Sequence, residues 1–331
     1  MYSHLNDKDR SPVRALLFIP LLVVVGFVPW VVGLMLGSGL AALLDQVAGL
    51  QMDWFDLFRN HMRNGNVWDM GLGSLEGALP DFFAKTALLL IGFWLLTKLY
   101  RRPVRTWLTS APHFRFDHYF IGLFASFIVV SLVLAAWGYA SMGEHYTPNL
   151  WRGAAWQVAL AVPALLFITC VNAFGEEVLF RGWAMQQLAA FIKHPAVVIG
   201  LTAIGFALLH REFSPLRLTQ LLVMGLGFGW MAWRLGGLEF AAGAHGAFNI
   251  ALDIFYPSKM VPLPNPMQWV EQHGITLEQA SKIKIELPPS VMDWAALILL
   301  GLVLAALAEG LVWWQTARQN RQASRISTPS S

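Results

Sequence analysis

The chain has 331 residues, of which 56% are hydrophobic and 13% are charged, and its formal net charge at pH 7 is +3. An average soluble domain carries roughly a quarter charged residues. Here the apolar residues come in long unbroken blocks, with a mean hydropathy of +0.52. These features exclude an ordinary soluble enzyme, a disordered chain and a coiled coil. They predict an all-α fold, a polytopic transmembrane helical bundle.

The basic residues lie in short loops rather than in one concentrated patch. Such a distribution favours membrane orientation over nucleic-acid binding, so membrane lipid is an expected partner and nucleic acid is not. Cys170 is the only cysteine, which makes an intrachain disulfide impossible. A metal site would therefore have to use His, Asp or Glu ligands.

Eight apolar blocks approach the length of about 20 residues that a helix needs to cross the hydrocarbon core. They predict about eight spans. The fourth block is too long for one simple crossing and has charged residues in its middle, and the fifth block is short. The blocks cover about residues 13–40, 82–100, 118–140, 154–188, 196–210, 216–235, 240–256 and 291–314.

Composition divides the chain into six parts. Lys and Arg concentrate at the N-terminus, after the second block and at the C-terminus, which predicts a multi-pass membrane protein with both termini cytoplasmic. The predicted parts are an N-terminus (1–14), N-terminal transmembrane helices with an interfacial loop at 51–80 (15–150), a helical core (151–256), a Pro-rich loop (257–290), a last transmembrane helix (291–314) and a disordered polar tail (315–331).

Charged side chains stand in the middle of the fourth block. An ionisable group inside a span costs at least about 2.5 kcal/mol, so it usually marks function or pairing. Glu177 and Arg181 are four residues apart on a helix, with the acid first, which favours an ion pair. Glu176 is rotated by about 100° from Glu177, so it cannot easily share that arginine. The pattern predicts one paired glutamate and one available glutamate, although a purely structural ionic cluster would also fit.

Two further polar features follow in the fifth and seventh blocks. His210 ends the fifth block, where a capping role is the simpler alternative. His245, Asn249 and Asp253 are spaced by four residues and share one helical stripe, among glycines and alanines that also suit plain helix packing. Together a carboxylate, two imidazoles and an amide supply a base, its partner and donors for an oxyanion. This set predicts hydrolysis by an activated water and leaves the role of Asp253 open.

At these residues the sequence resembles the CPBP family of intramembrane proteases, which includes CAAX proteases and bacteriocin-processing enzymes and is also called the ABI family. The resemblance covers about residues 151–256 and makes that core the catalytic part. The three family motifs occur in order in this sequence: Glu176-Glu177-Val-Leu-Phe-Arg181, Phe206-Ala-Leu-Leu-His210 and His245-Gly-Ala-Phe-Asn249.

The resemblance implies an endopeptidase that acts within or beside the membrane on a membrane-associated protein or peptide. By analogy with the family, Glu176 and His210 activate the water. His245 and Asn249 stabilise the tetrahedral oxyanion.

The resemblance further implies that Glu177 and Arg181 support the site. The family is often labelled metalloprotease, yet a metal-independent glutamate mechanism has also been argued for it. Glu176, His210 and His245 could ligate zinc, so the cofactor is either zinc or none.

Two functions of other classes stay open at this point. The first is a non-catalytic membrane protein that binds a peptide or partner, as a bacteriocin immunity protein would, and that keeps the polar cluster for helix packing. The second is proton or ion translocation through the Glu/His cluster, which would more naturally show broken helices in two related halves.

Overall fold

The structure is a computed structural model that describes residues 11–47, 55, 59, 75–143, 146, 148, 155–256, 260–262, 266–274, 276–282, 284–286 and 289–326. Most of the predicted interfacial loop at 51–80 lies outside these residues. Its last part, from Leu75, forms the start of a helix.

Helices dominate the described part of the chain, as predicted. One of them is interrupted by a π-helical segment, Val178–Ala184. In chain order the helices are α1 (Pro12–Val47), α2 (Leu75–Tyr100), α3 (Arg105–Leu108), α4 (Phe116–Met142), α5 (Ala155–Glu177), α6 (Met185–Phe191), α7 (Pro195–Leu209), α8 (Pro215–Leu235), α9 (Glu239–Phe255), α10 (Pro266–His273), α11 (Leu277–Lys282) and α12 (Val291–Ile326).

Each of the eight apolar blocks coincides with a helix or, for the fourth block, with the continuous run from α5 through the π segment to α6. The all-α membrane fold is thus confirmed. Within the described residues, five segments are long and apolar enough to cross a membrane by length and composition, and the count of about eight spans stays a prediction. The five are Pro12–Leu44, Ala78–Tyr100, Phe116–Met142, Val162–Phe191 and Val291–Ala317.

The segment 257–290, predicted as a Pro-rich loop, contains regular structure. Strands β1 (Met260–Pro262) and β2 (Lys284–Glu286) form an antiparallel pair in which Val261 lies opposite Ile285. Helices α10 and α11 stand between the two strands. The prolines in this segment do not prevent short strands and helices from forming, because proline is tolerated at strand edges and in the first turn of a helix.

The polar tail predicted to be disordered from residue 315 is helical as far as Ile326. Its sequence from Gln315 is rich in Gln, Arg and Ala, which are good helix formers. A helix already nucleated in the preceding apolar block extends through such residues at low cost. Residues 327–331 lie outside the described part of the chain.

Helix α9 lies at the centre of the bundle and packs against α4, α5 and α8. Its residues from Glu239 to Phe248 are all buried. Small residues allow this packing: Gly243 lies against the backbone of Tyr119 on α4, and Gly246 lies against Cys170 on α5. The largest hydrophobic cluster joins α4, α8, α9 and α12. A rigid, enclosed α9 fixes the position of His245.

Candidate active site

The polar residues of the fourth block lie where the α-helix is followed by a π-helical segment. Helix α5 ends at Glu177, and the chain continues as a π-helix from Val178 to Ala184 before α6 begins. A π turn has i→i+5 hydrogen bonds and occurs frequently at functional sites. The helix changes from α to π just after Glu177, and Pro195 begins α7, which has only 15 residues.

Glu177 and Arg181 form the predicted ion pair. Arg181 Nη1 donates to Glu177 Oε1 at 2.8 Å, and the two side chains are 1% and 0% exposed. Arg181 Nη2 donates to the carbonyl oxygen of Gly225 on α8 at 2.9 Å. The guanidinium carbon lies 5.0 Å from the ring centre of Phe206 and 5.6 Å from that of Phe228. Through these contacts Arg181 connects the π segment to α7 and α8.

His245 shares the same glutamate. Its Nδ1 lies 2.9 Å from Glu177 Oε1, and because a carboxylate only accepts, Nδ1–H is the donor. The ring of Phe228 stacks on the imidazole with 4.7 Å between ring centres. This arrangement directs Nε2 of His245 away from Glu177 and towards Glu176, whose Oε2 lies 3.7 Å away.

His210 also lies close to Glu176. Its Nδ1 donates to the carbonyl oxygen of Phe206 at 2.8 Å, which leaves Nε2 as the nitrogen that carries the lone pair in the neutral ring. That Nε2 lies 4.0 Å from Glu176 Oε2. The short α7 and the π segment thus bring together two residues that straight helices would have placed at different depths.

Glu176 Oε2 consequently faces two imidazole Nε2 atoms at distances beyond a direct hydrogen bond. The oxygen is buried and has no hydrogen-bond partner within the described residues. The side chain as a whole is 18% exposed. A polar contact longer than 3.5 Å is commonly bridged by water, and one water molecule can donate to this carboxylate and to an imidazole at the same time.

Asn249 lies one turn after His245 on α9 and is half-buried. Among the described residues, no hydrogen bond joins its side chain to Glu176, His210 or His245. The helical spacing places Asn249 on the same stripe as His245.

A metal site does not follow from this arrangement. Within the described residues, no group of three or more His, Cys, Asp and Glu side chains is arranged to hold a metal ion. His245 donates from Nδ1 to Glu177 and His210 donates from Nδ1 to the carbonyl oxygen of Phe206, which leaves both Nε2 atoms facing Glu176. Histidines that ligate zinc commonly donate their other N–H in this way, so these hydrogen bonds are compatible with a metal. The zinc ligands predicted from Glu176, His210 and His245 therefore stay a prediction.

Two contributors to the site were not predicted from the sequence. Phe228 stacks on His245, and the backbone carbonyl of Gly225 accepts from Arg181. Both are on α8. Phe228 is one of 22 phenylalanines and Gly225 one of 28 glycines, so neither has a signal that sequence reasoning could have used.

Comparisons with known proteins match the segment of the chain that contains the candidate site. Residues 158–251 match the family described as Type II CAAX prenyl endopeptidase Rce1-like. The chain contains an Rce1-like domain. All six predicted site residues lie inside the matched segment, whereas α1 to α4 and α12 lie outside it. The predicted resemblance to the CPBP proteases is thereby confirmed for this segment, and the family is one of proteases.

One relative extends beyond the Rce1-like domain. The Uncharacterized protein YyaK of Bacillus subtilis (strain 168) is 23% identical over 207 residues, which are 59% of this chain and 68% of that protein. No solved structure matches the chain.

Proposed function

We propose that this protein is an intramembrane endopeptidase of the CAAX-protease type, which hydrolyses a peptide bond of a membrane-associated protein or peptide with a water activated by Glu176 and His210. The observation that carries the proposal is the position of Glu176 Oε2, buried without a hydrogen-bond partner among the described residues and 3.7 and 4.0 Å from the Nε2 atoms of His245 and His210.

The water occupies the position between Glu176 and His210. It donates one hydrogen to Glu176 Oε2 and the other to His210 Nε2, so that an oxygen lone pair is directed at the scissile carbonyl carbon. As the carbon–oxygen bond forms, Glu176 takes the proton and later gives it to the leaving amine. A positioned general base of this kind contributes roughly 10²- to 10⁴-fold in rate.

His245 and Asn249 stabilise the oxyanion. The Glu177 carboxylate accepts from His245 Nδ1–H at 2.9 Å and holds the ring so that an Nε2–H donates to the developing negative charge. The Asn249 amide supplies a second donor. A preorganised donor at this position is worth roughly 10²- to 10³-fold in rate. Arg181 holds Glu177 in place and balances its charge.

We further propose that the protein lies in a bacterial plasma membrane with both termini on the cytoplasmic side. The support for this placement is the concentration of Lys and Arg at the two termini and in the segment after α2. Eight membrane crossings, an even number, would place both termini on the same side of the membrane.

The test is cleavage of a quenched-fluorescent peptide library by the purified protein in liposomes prepared in H₂¹⁸O. Wild type is expected to release products with one ¹⁸O atom in each new carboxylate, and Glu176→Ala and His210→Ala are expected to release none. Glu271→Gln, which alters an exposed glutamate on α10, is the matched control and should cleave as wild type does. A parallel sample with a chelator tests the zinc alternative.

The same variants separate a protease from a peptide-binding protein. If wild type binds library peptides but cleaves none, and both alanine variants bind them equally well, the protein is a binder and the proposal is wrong. Cleavage by wild type that both variants retain would place the chemistry at another site.

A further inference from the structure

A polar cluster joins helix α5 to helix α2, which lies outside the Rce1-like domain. Asn172 Nδ2 on α5 donates to Asp81 Oδ2 on α2 at 3.2 Å. Lys85, one turn further along α2, places its Nζ 2.8 Å from the same oxygen. Asp81 and Lys85 belong to a segment long and apolar enough to cross a membrane. Their ion pair balances both charges at that depth, and the amide of Asn172 is the neutral end of the cluster.

This cluster fixes the orientation of the Asn172 amide. A carboxylate oxygen only accepts hydrogen bonds, so the amide nitrogen faces Asp81 and the amide oxygen does not. That oxygen, Oδ1, is buried and has no hydrogen-bond partner within the described residues. A buried acceptor without a donor is unfavourable, so a ligand that brings an N–H group to Oδ1 gains a hydrogen bond there.

Asn172 lies on the same face of α5 as Glu176. Both residues belong to this helix, and four residues of an α-helix make slightly more than one turn and rise about 6 Å. Glu176 Oε2 is likewise buried without a hydrogen-bond partner within the described part of the chain. One face of α5 therefore carries two acceptor side chains, spaced by about 6 Å along the helix axis, that lack donors.

An extended peptide has nearly the same spacing. Its residues advance about 3.3 Å each and alternate between two sides, so N–H groups two residues apart lie on one side and about 6.6 Å apart. We propose that the peptide substrate lies extended along α5 and that Asn172 Oδ1 accepts a main-chain N–H two residues from the scissile bond. The inference rests on the proposed function, in which the scissile bond lies at Glu176, and adds a residue that sets the register of the substrate.

The proposal gives helix α2 a part in substrate binding. Asp81 and Lys85 do not touch the substrate in this arrangement. They hold the Asn172 amide so that its oxygen, rather than its nitrogen, is presented to the peptide. They are positioning residues, contributed by a part of the chain that the Rce1-like match does not cover.

The experiment replaces single backbone N–H groups of the substrate. The probes are the library peptide that wild type cleaves fastest and four analogues of it, each with one backbone amide changed to an ester. The esters stand one and two residues from the scissile amide, on either side of it. An ester keeps the shape of the backbone but has no N–H donor. Dissociation constants are measured by fluorescence anisotropy in nanodiscs with the His210→Ala protein, which keeps Glu176 and is not expected to cleave.

Three further variants are compared in the same background. Asn172→Leu removes the acceptor at nearly constant size and leaves Asp81 paired with Lys85, so it is expected to fold. The double variant Asp81→Leu/Lys85→Met removes the orienting carboxylate together with its counter-charge. Thr97→Val is the matched control, because it removes a hydroxyl of α2 that donates to the carbonyl oxygen of Phe93 on the same helix.

One of the two esters placed two residues from the scissile amide is expected to bind about fivefold more weakly than the parent peptide, as the loss of one hydrogen bond implies. The esters at the adjacent residues should bind as the parent does, since their N–H groups face the other side. In Asn172→Leu the parent should bind about fivefold more weakly, and the sensitive ester should cause no further loss. The double variant should reduce the ester effect, and Thr97→Val should preserve it.

Equal binding of the parent and all four esters would overturn the inference. An ester effect that survives Asn172→Leu would also overturn it, and a uniform loss of affinity in that variant would assign Asn172 to packing between α2 and α5. Each of these results leaves cleavage by wild type intact and therefore contradicts the inference alone. A wild-type protein that cleaves no library peptide would contradict the proposed function, and the inference with it.

Discussion

Two neighbouring glutamates have different surroundings in this protein. Glu177 is fully buried and accepts hydrogen bonds from Arg181 and His245. Glu176 is partly exposed, and its Oε2 has no partner within the described residues. A buried charge pair contributes little net stability, but removing one member leaves the other charge uncompensated. The two residues should therefore respond differently to substitution.

Replacement of Glu177 is expected to destabilise the fold. Glu177→Gln leaves the buried guanidinium of Arg181 without a counter-charge and should cost about 3–5 kcal/mol. The double variant Glu177→Gln/Arg181→Met removes both charges and should recover part of that loss. The measurement is thermal unfolding in detergent, followed by tryptophan fluorescence, with Glu271→Gln as the control. A single variant as stable as the control would contradict the assignment of Glu177 to the support of the site.

At the scale of elements, the site depends on close contact between α9 and α4. A Cβ at Gly243 would clash with the backbone carbonyl of Tyr119, whereas a Cβ at Gly200 on α7 would meet no atom within 4 Å. Because α9 carries His245, any displacement of this helix also moves the imidazole away from Glu176.

The glycine pair gives a matched test of this contact. Gly243→Ala forces α9 away from α4 and should destabilise the protein by about 1–3 kcal/mol, with a loss of peptide cleavage. Gly200→Ala adds the same methyl group in open space and should be neutral or stabilising by up to about 1 kcal/mol. Unfolding temperature and cleavage rate check both variants. If Gly243→Ala matches Gly200→Ala in both, the packing described for α9 is wrong.

At the scale of the whole molecule, an ion pair connects the chain before α4 to the start of α9. Arg115 Nη2 donates to Glu239 Oε2 at 2.8 Å, and Arg115 Nη1 donates to the carbonyl oxygen of Leu235 at 2.9 Å. Burial of Glu239 opposes its ionisation. The hydrogen bonds from Arg115 and Thr109 outweigh burial and hold the pKa of this carboxyl below its usual range.

This pair predicts a specific acid sensitivity. Because the pKa of Glu239 is lower in the folded state, its stabilisation is complete above the ordinary carboxyl pKa and is lost as the pH falls through the folded value. As the pH is lowered from about 6 to about 3, the unfolding temperature of wild type should decrease. The unfolding temperature of Glu239→Gln should decrease less over the same range. Equal losses in the two proteins would show that other carboxyl groups control the acid response.

The sequence predicts the positions of the helices well, because apolar blocks of membrane length leave the backbone few alternatives to a helix. The Glu177–Arg181 pair also follows from its spacing. The π segment does not, since apolar length and charge spacing predict a helix but do not distinguish π-helical from α-helical hydrogen bonding. The approach of His210 to Glu176 depends on that segment and on the short α7, so only the structure brings the two residues together. The helix beyond residue 315 was missed because polar composition alone does not distinguish a helical extension from a disordered tail.

We propose that Glu176 activates the water while Glu177 supports the fold. The most direct measurement is the cleavage rate of Glu176→Gln relative to wild type on one library peptide in the same liposomes, together with its unfolding temperature. We expect a rate lower by roughly 10²- to 10⁴-fold at an unchanged unfolding temperature. Cleavage at the wild-type rate by a folded Glu176→Gln protein would show that Glu176 is not the base.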